Sequence, residues 1–322
     1  MEEGWRWEGM MTARDRQRQL SSLTGARQTM SSWAKVVESR EDVPEAFRRP
    51  FSAVASDVSN LPYTVFAPII VDASSKITGR KSTEKLLCEL GETIYVWERS
   101  GDEVVMAAYP VKAISDLEVG EILLYSWLAI GGVTEDGMLR SSLIEFNQST
   151  ARHFGPFLKR LRPEPKDVKE RERNAEEAKL NYLGLTNLKF RNFALESLVS
   201  GEKIVQTLWQ PTIAQPIVRV GGHALWRTIV SLQHLVMLTD QELIIIQDDE
   251  RSKEIRGVRY GGKRQYIALR HIRAVELEDD GGDLLRLKLT LAPGGQQMAI
   301  LLSASKKPEI AQLEGELAKR MG

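Results

Sequence analysis

Two apolar stretches in the last third of the chain decide the predicted fold: LVMLTDQELII at residues 235–245 and IALRHIRAVEL at residues 267–277. In the first stretch, the pair Thr239-Asp240 separates two runs of leucine, isoleucine, valine and methionine, which is typical of a hairpin between two apolar strands. In the second stretch, apolar residues recur at short spacing on both sides of a polar centre, which predicts two more strands. Both stretches therefore indicate an antiparallel β domain.

Short β-prone runs surround these two stretches on either side. Turn signals such as Asp280–Gly282 and Pro293–Gly295 separate them, and this spacing predicts an antiparallel sandwich or barrel. The predicted strands of the block are Ile204–Trp209, Trp226–Leu232, Leu235–Leu238, Leu243–Gln247, Gln265–Leu269, Ile272–Leu277, Leu284–Leu291 and Gln296–Leu302. A helix follows, and its apolar face of Ile310, Leu313 and Leu317 is expected to cover the open end of the core.

The first half of the chain repeats this architecture without repeating its residues. Its predicted strands are Thr64–Val71, Leu86–Leu90, Thr93–Trp97, Val104–Tyr109, Ala113–Val119, Ile122–Ile130 and Ser142–Phe146. Apolar residues then recur at the i, i+3, i+4, i+7 spacing of one helix face, at Phe154, Phe157, Leu158 and Leu161. This half is therefore also predicted to end in a closing helix.

The predicted fold class is mainly β with α (α+β), built from two partly open antiparallel sandwiches or barrels that are each closed by a C-terminal helix. The predicted segments are a partly helical N-terminal arm at 1–55, domain 1 at 56–162, a charged helical linker at 163–200 and domain 2 at 201–322. In the arm, Pro44 and Pro50 are expected to limit helix length. In the linker, residues 166–181 are almost wholly charged or small, which suits a solvated helix held by side-chain pairs.

The two stretches and their Thr-Asp turn resemble bacterial pleckstrin-homology-like (PH-like) domains. In that family an apolar strand, a Thr-Asp turn and a second apolar strand precede a segment of the form I-x-L-x-x-I-x-x-V, as they do here. The first half resembles a more divergent member through YVW at 95–97, YPV at 109–111 and LLYSWL at 123–128. The resemblance implies two tandem PH-like domains and no catalytic residues. Members of the family serve as phosphoinositide binders, protein-binding adaptors or assembly modules, so the fold alone does not choose among these functions.

Composition limits the classes of function. Lys+Arg and Asp+Glu are both 44, so the net charge is zero and nucleic-acid binding is disfavoured. The single cysteine, Cys88, excludes an intramolecular disulfide and a Cys-based zinc site, and its apolar neighbours predict a buried thiol. No run approaches the roughly 18 apolar residues of a membrane-spanning helix, and Met1–Met11 lacks the features of a signal peptide. We therefore expect a cytoplasmic protein, with peripheral contact at the inner membrane face as an open alternative.

The sequence contains no recognisable catalytic constellation. The four histidines are scattered, without the spacing of a metal site, at His153, His223, His234 and His271. The segment Gly257–Lys263 matches the Gly-x-x-x-x-Gly-Lys spacing of a phosphate-binding loop, but Arg264 stands where a hydroxyl residue must hold magnesium. A strand is also predicted to follow, where such a loop needs a helix. We therefore expect no enzymatic activity, no metal and no cofactor.

Two basic segments are the candidate sites for anions or lipid. The larger, Arg251–Arg273, surrounds a glycine loop, and its candidate anion-binding residues are Lys253, Arg256, Arg259, Lys263 and Arg264. The smaller lies in the first hairpin loop of domain 1, with candidates Lys76, Arg80 and Lys81. Arginine forks and the main-chain donors of a glycine loop suit phosphate. The alternative is a solvated hairpin whose charges pair with Asp248, Asp249, Glu250, Asp279 or Asp280.

β-rich domains without catalytic groups favour a non-enzymatic binding or scaffold protein. Its PH-like domains would supply protein-interaction surfaces, and an open sheet edge would admit a strand of the protein partner. The alternative function is a peripheral membrane sensor that binds anionic lipid or phosphate groups through the basic loops. The sequence leaves open the identity of the partner or ligand, the oligomeric state and the pathway.

Overall fold

The structure is a computed structural model that describes residues 30–56, 60–70, 82–220, 223–252, 254–255 and 258–321. The chain is mainly β, with 45% of its residues in strands and a few helices, which confirms the predicted class. The sheets of the described residues are antiparallel, and none of them closes into a barrel. The chain divides into two compact units: unit 1 takes Met1–Ile114 and Glu121–Leu158, and unit 2 takes Ser115–Gly120 and Lys159–Gly322.

The regular elements run along the whole described chain. The strands are β1 (Lys35–Val36), β2 (Thr64–Ala67), β3 (Glu84–Leu90), β4 (Thr93–Ser100), β5 (Glu103–Pro110), β6 (Ile114–Ile122), β7 (Tyr125–Val133), β8 (Leu139–Asn147), β9 (Ile204–Gln210), β10 (Ile213–Val220), β11 (His223–Ser231), β12 (His234–Thr239), β13 (Glu242–Gln247), β14 (Glu254–Ile255), β15 (Val258–Arg259), β16 (Gly262–Ala268), β17 (Ile272–Gly281), β18 (Leu284–Leu291) and β19 (Gln296–Ser303). The α-helices are α1 (Glu45–Ala55), α2 (Gly155–Leu161), α3 (Glu170–Ala178), α4 (Leu188–Ser197) and α5 (Lys307–Ala318).

Unit 1 contains an antiparallel sheet in the order β1-β2-β3-β4-β5, covered by helix α1. The helix buries Phe47 and Phe51 in the same core as Trp97. The ring centroids of Phe51 and Trp97 are 5.8 Å apart, and the two rings meet edge to face. Pro50 lies inside this helix, so the prediction that it limits helix length is wrong. Burial of the two aromatic side chains offsets the loss of one main-chain hydrogen bond at the proline. The described part of the predicted arm is thus a component of the unit 1 core.

Unit 1 also contains the β7–β8 hairpin, whose residues pair in continuous register from Tyr125↔Asn147 to Val133↔Leu139. Trp127, in this hairpin, is fully buried. The predicted closing helix is present as α2, and Phe157 within it is buried. Cys88 is buried as expected, and burial raises the pKa of its thiol to about 11.

Unit 2 contains two antiparallel sheets and a C-terminal helix. Strands β16, β13, β12 and β9 are neighbours in that order, and a separate sheet has the order β17-β18-β19. Inward residues of both sheets and the apolar face of α5 form one core, in which Ile310, Leu313 and Leu317 are fully buried. The prediction that these three residues share the core-facing side of the last helix is confirmed.

The segment predicted as a linker belongs to unit 2 and contacts its first strand. Helix α3 has no buried residue, as expected for a solvated helix, but its Glu176 carboxylate accepts a hydrogen bond from the main-chain N–H of Ile204 at 2.7 Å. The Lys179 ammonium donates to the Ile204 carbonyl at 2.8 Å. Leu180 and Leu183 are buried just after the helix. The charged composition of 166–181 did not indicate these contacts, because each depends on strand β9, more than twenty residues further along the chain.

No helix in the described ranges is long and apolar enough to cross a bilayer.

Candidate functional site

The predicted anion-binding residues are only partly within the described chain. Lys76, Arg80 and Lys81 of the smaller basic loop, and Lys253 and Arg256 of the larger segment, lie outside the described residues. Arg259, Lys263 and Arg264 are described, and all three belong to unit 2. The near-match to a phosphate-binding loop is followed by strand β16 rather than by a helix, as predicted.

Arg259 and Lys263 each have a carboxylate partner. The Arg259 guanidinium donates to the Ser252 carbonyl at 2.5 Å and lies 3.6 Å from the Glu254 carboxylate. The Lys263 ammonium lies 3.0 Å from the carboxylate of Glu118, which belongs to unit 2 through the Ser115–Gly120 segment. The positive charge of both residues is therefore largely compensated within the unit.

Arg264 contacts helix α4, whereas its neighbour Lys263 contacts Glu118. Its guanidinium donates to Glu196 of α4 at 2.8 Å and lies over the Phe193 ring, 4.8 Å from the ring centroid. The three described candidates thus show the paired charges of the alternative interpretation, although their partners are not the carboxylates that the sequence suggested. Anion binding by this segment stays a prediction.

Arg259 and Lys263 line a cleft of about 400 Å³ in unit 2, a volume within the usual range for ligand pockets. One side of the cleft is formed by residues 229–232 at the end of β11, and another by residues 298–301 of β19. Buried polar residues from β12, β13 and the loop after β13 complete it, among them His234, Asp248 and Asp249. The cleft therefore combines apolar walls with a small number of polar groups.

The β19 side of the cleft is an unpaired sheet edge. Strand β19 pairs with β18 in continuous register from Leu284↔Ser303 to Leu291↔Gln296, and no other described strand pairs with it. The main-chain N–H of Ser303 points away from β18, because it donates to the side-chain carbonyl of Gln210 at 2.9 Å. Since alternate residues of an antiparallel strand point their main-chain groups to opposite sides, Leu301 and Ala299 also present theirs away from β18. Both residues line the cleft.

Strand β11, whose last residues also line the cleft, is at a sheet edge too. Strand β11 forms a two-stranded sheet with β10, and within the described ranges its other edge has no strand partner. Ile229 of this strand is half exposed at the cleft. Two strand edges thus border the same opening.

His234 lines the cleft, and one of its ring nitrogens is buried without a hydrogen-bond partner among the described residues. The residue is 2% exposed, and its Nδ1 lies 2.9 Å from the Leu232 carbonyl, so Nδ1 carries the proton and donates it. Nε2 is then an acceptor, and among the described residues it has no hydrogen-bond partner. Burial lowers the pKa of His234, with the Leu232 hydrogen bond acting in the opposite direction, which favours the neutral ring. In the sequence this histidine was one of four isolated ones, and nothing local distinguished it from a core histidine.

The buried carboxylates of the cleft are already engaged. Asp248 accepts hydrogen bonds from the Lys189 ammonium and from the Gln233 amide, the latter at 2.7 Å. Asp249 receives two hydrogen bonds from the Arg251 guanidinium, both at 2.7 Å. Burial alone would raise the pKa of Asp249. The hydrogen bonds from Arg251 and its positive charge together have the larger effect, so the pKa lies below its usual value. Both aspartates therefore form ion pairs within unit 2, Asp248 with Lys189 and Asp249 with Arg251.

Glu250 differs from these two aspartates. It lines the same cleft but is exposed, and within the described part of the chain it forms no ion pair. Among the described carboxylates that line the cleft, Glu250 is therefore the exposed one without an ion pair.

A second polar cluster of unit 2 surrounds Arg162. Its guanidinium donates twice to one oxygen of Glu242, at 3.1 and 2.6 Å, and once to the Ser197 carbonyl at 2.6 Å. It also lies over the Tyr266 ring, 3.9 Å from the centroid. Glu242 is 2% exposed, so this is a buried, multiply hydrogen-bonded ion pair.

Glu202 completes this cluster as a second buried carboxylate. Its two oxygens accept hydrogen bonds from the Thr239 hydroxyl at 2.5 Å and from the Val199 main-chain N–H at 2.9 Å, and it lies 4.0 Å from Arg162. Burial, followed by the charge of Glu242, raises the pKa of Glu202 to about 7. The three charged groups of this cluster are thus bonded to one another or to neighbouring groups of unit 2.

Comparison with models of known protein families and with curated proteins finds no match to this chain. Among the described residues, no group of three or more histidine, cysteine, aspartate or glutamate side chains is placed to hold a metal ion.

Proposed function

We propose that this protein is a non-enzymatic binding or scaffold protein in which unit 2 binds an extended segment of a partner protein by strand addition. The proposal includes two PH-like domains, one in each unit. In support, the two apolar stretches that carry the resemblance form the paired strands β12 and β13 on either side of Thr239-Asp240, and the unit ends in the closing helix α5. Such domains bind partners through surfaces rather than through catalytic groups.

The observation that carries the proposal is the edge of β19 at the cleft. An unpaired strand edge offers a row of main-chain donors and acceptors to another chain, so proteins usually protect such edges with lysine, proline or a bulge. Strand β19 reads QQMAILLS, without lysine or proline, and its register with β18 is unbroken. Ala299 and Leu301, whose main-chain groups point away from β18, both line the cleft. Strand addition is the recognition mode that uses such groups.

The alternative of anionic-lipid binding is less well supported by the same region. A phosphate group at Arg259 or Lys263 would have to compete with Glu254 or Glu118, which already compensate these cations. A peptide strand on β19 requires no such exchange, because main-chain hydrogen bonding leaves both ion pairs in place. The paired cations therefore favour a peptide over a lipid surface as the ligand of this cleft.

The test is a selection of binding peptides from a random-peptide display library on the full chain, followed by affinity measurements on two variants of one residue. Ala299→Pro removes the outward N–H at a position of an edge strand where proline is tolerated. Ala299→Val keeps the N–H and serves as the matched control. We expect Ala299→Pro to weaken binding by about tenfold or more, the equivalent of one lost hydrogen bond, and Ala299→Val to change it by less than about threefold.

Two outcomes would contradict this proposal. One is that the folded chain retains no peptide, or binds peptides equally well after Ala299→Pro. The other is that vesicles containing anionic lipid, but no peptide, bind the chain and are released at high salt, which would support the membrane alternative.

A further inference from the structure

We infer that unit 1 pairs with a second copy of this chain through strand β5, in an antiparallel strand pair whose two-fold axis passes beside Val105. The inference does not depend on the proposed function, because β5 belongs to unit 1 and the peptide of that proposal binds to unit 2. It assigns a partner to the edge strand of the β1–β5 sheet.

Strand β5 is an edge strand that lacks the usual protection. It is the last strand of its sheet, and among the described strands it pairs only with β4. Its sequence, EVVMAAYP, contains no lysine, and its one proline is the last residue. Its register with β4 runs from Thr93↔Pro110 to Ser100↔Glu103 without a bulge. Since proteins usually blunt a free edge with such devices, an edge without them is available to another chain.

Two residues of β5 present free main-chain groups on the side away from β4. The Ala108 carbonyl points to that side, because it accepts a hydrogen bond from the main-chain N–H of Glu135 at 2.9 Å. Outward and inward groups alternate along an antiparallel strand, so the main-chain groups of Met106 and Val104 point outward as well. No described residue bonds to these groups on the outward side.

The side chains beside this open stretch are apolar and exposed on both faces of the sheet. Met106 lies opposite Trp97 and therefore shares the face that helix α1 covers, whereas Val105 points to the other face. Val105 is 50% exposed and Met106 is 43% exposed. A strand added at this edge would cover part of both side chains, and the burial of apolar surface would stabilise the pair.

The two ends of the open stretch fit a second copy better than they fit a long peptide. At one end, the main chain of Glu135 already occupies the edge, so an added strand has to end before it reaches Ala108. At the other end, β5 begins directly after the turn at residues 101–102. Pairing about a two-fold axis at Val105 satisfies both limits, because the turn of the partner then lies opposite Ala108 and its chain leaves the sheet there.

In this register the edge is complementary to itself. Val105 lies opposite the partner's Val105, and Val104 lies opposite the partner's Met106, so the four outward main-chain groups of each copy all form hydrogen bonds. Glu103 is the one charged residue of β5. It lies opposite the partner's Ala107, so no like charges of the two strands are directly opposed.

Sedimentation equilibrium of the full chain tests this pairing. A single strand pair is a small interface, so we expect a reversible dimer that forms between about 5 µM and about 0.5 mM protein. Val105→Glu and Val105→Lys should each weaken the dimer by about tenfold or more, because each places two like charges directly opposite one another. Val105→Thr is close in shape and uncharged, and as the matched control it should change the dissociation constant by less than about threefold.

An equimolar mixture of Val105→Glu and Val105→Lys is the most specific sample. Opposite charges then face each other across the axis, so the mixture should associate to within about threefold of the wild-type chain. Only a pairing in which residue 105 lies opposite its own counterpart predicts this rescue.

Three results would overturn the inference: a wild-type chain that stays monomeric, a dimer that both charged variants retain, or charged variants that the mixture does not rescue. Ala299→Pro should leave the dimer intact, and loss of the dimer in that variant would overturn the inference as well, since it would place the association at β19. The unfolding transition of each variant is measured first. Should a Val105 variant fail to fold, Met106→Pro and its control Met106→Leu decide the inference in the same assay, because only the proline removes an outward N–H.

Discussion

Unit 2 contains two clusters of buried polar groups that differ in how completely the chain satisfies them. Around Arg162, the guanidinium and the carboxylates of Glu202 and Glu242 are bonded to one another or to Ser197, Val199 and Thr239. Around His234, the aspartates are paired but Nε2 of the imidazole has no partner among the described residues. Bonded groups of the first kind stabilise the fold, whereas a buried acceptor without a partner lowers its stability.

The largest effect that we expect from this comparison is loss of Arg162. Arg162→Ala leaves Glu202 and Glu242 buried without their shared cation, so the free energy of unfolding should fall by about 3–5 kcal/mol. Chemical denaturation of the full chain measures this change. Lys159→Ala, at an exposed position of α2, is the control and should alter the value by less than about 0.5 kcal/mol. Equal effects of the two substitutions would show that the Arg162 cluster does not stabilise unit 2.

A smaller effect is the pH dependence that Glu202 contributes. Its pKa is about 7 in the folded protein and near 4.5 ordinarily, so between these pH values the folded state holds a proton that the unfolded chain has released. Stability from this group is therefore fully present below about pH 4.5 and is lost as pH rises through about 7, by up to about 3 kcal/mol.

Glu202→Gln tests this contribution, because glutamine stays neutral and its carbonyl can accept the Val199 hydrogen bond. We expect the variant to match the wild type near pH 4.5 and to exceed it in stability at pH 8. The difference between the two proteins isolates Glu202 from other groups, such as Asp116, whose pKa burial also raises. A difference that does not change across this pH range would mean that Glu202 titrates normally and is not buried as described.

The strands were the most predictable part of the fold, because alternation of apolar residues along a short run needs no knowledge of distant partners. Strand β18 was predicted at Leu284–Leu291 and is found with those bounds. Strand β10 was missed, since Pro216 interrupts it and proline argues against a central strand. Among the described strands, β10 pairs only with β11, so it is an edge strand. Its register with β11 shifts before the proline, between Ile213 and Ala214, and after it, between Pro216 and Val218. Both features explain how the strand accommodates Pro216.

The site was less predictable than the fold, because its properties arise from pairs that lie far apart in sequence. The basic segment was recognised, and two of its members, Arg259 and Lys263, do line the cleft. The composition of the basic segment did not indicate that Glu118 compensates the charge of Lys263, because the two residues are 145 positions apart. The same holds for Arg162 and Glu242, which are 80 residues apart. His234 carried no local signal in the sequence. Its position in the cleft wall and its unpartnered Nε2 depend on residues that are distant along the chain.

Amide hydrogen exchange at β19, measured on the full chain with and without a selected peptide, tests strand addition most directly. In the free chain, the amides of Ala299 and Leu301 should exchange faster than those of Met298 and Ile300, which point toward β18. With peptide bound, the account predicts that exchange at Ala299 and Leu301 slows by about tenfold or more, while the inward amides change little. Unchanged exchange at these two amides in the peptide-bound chain would contradict strand addition at this edge.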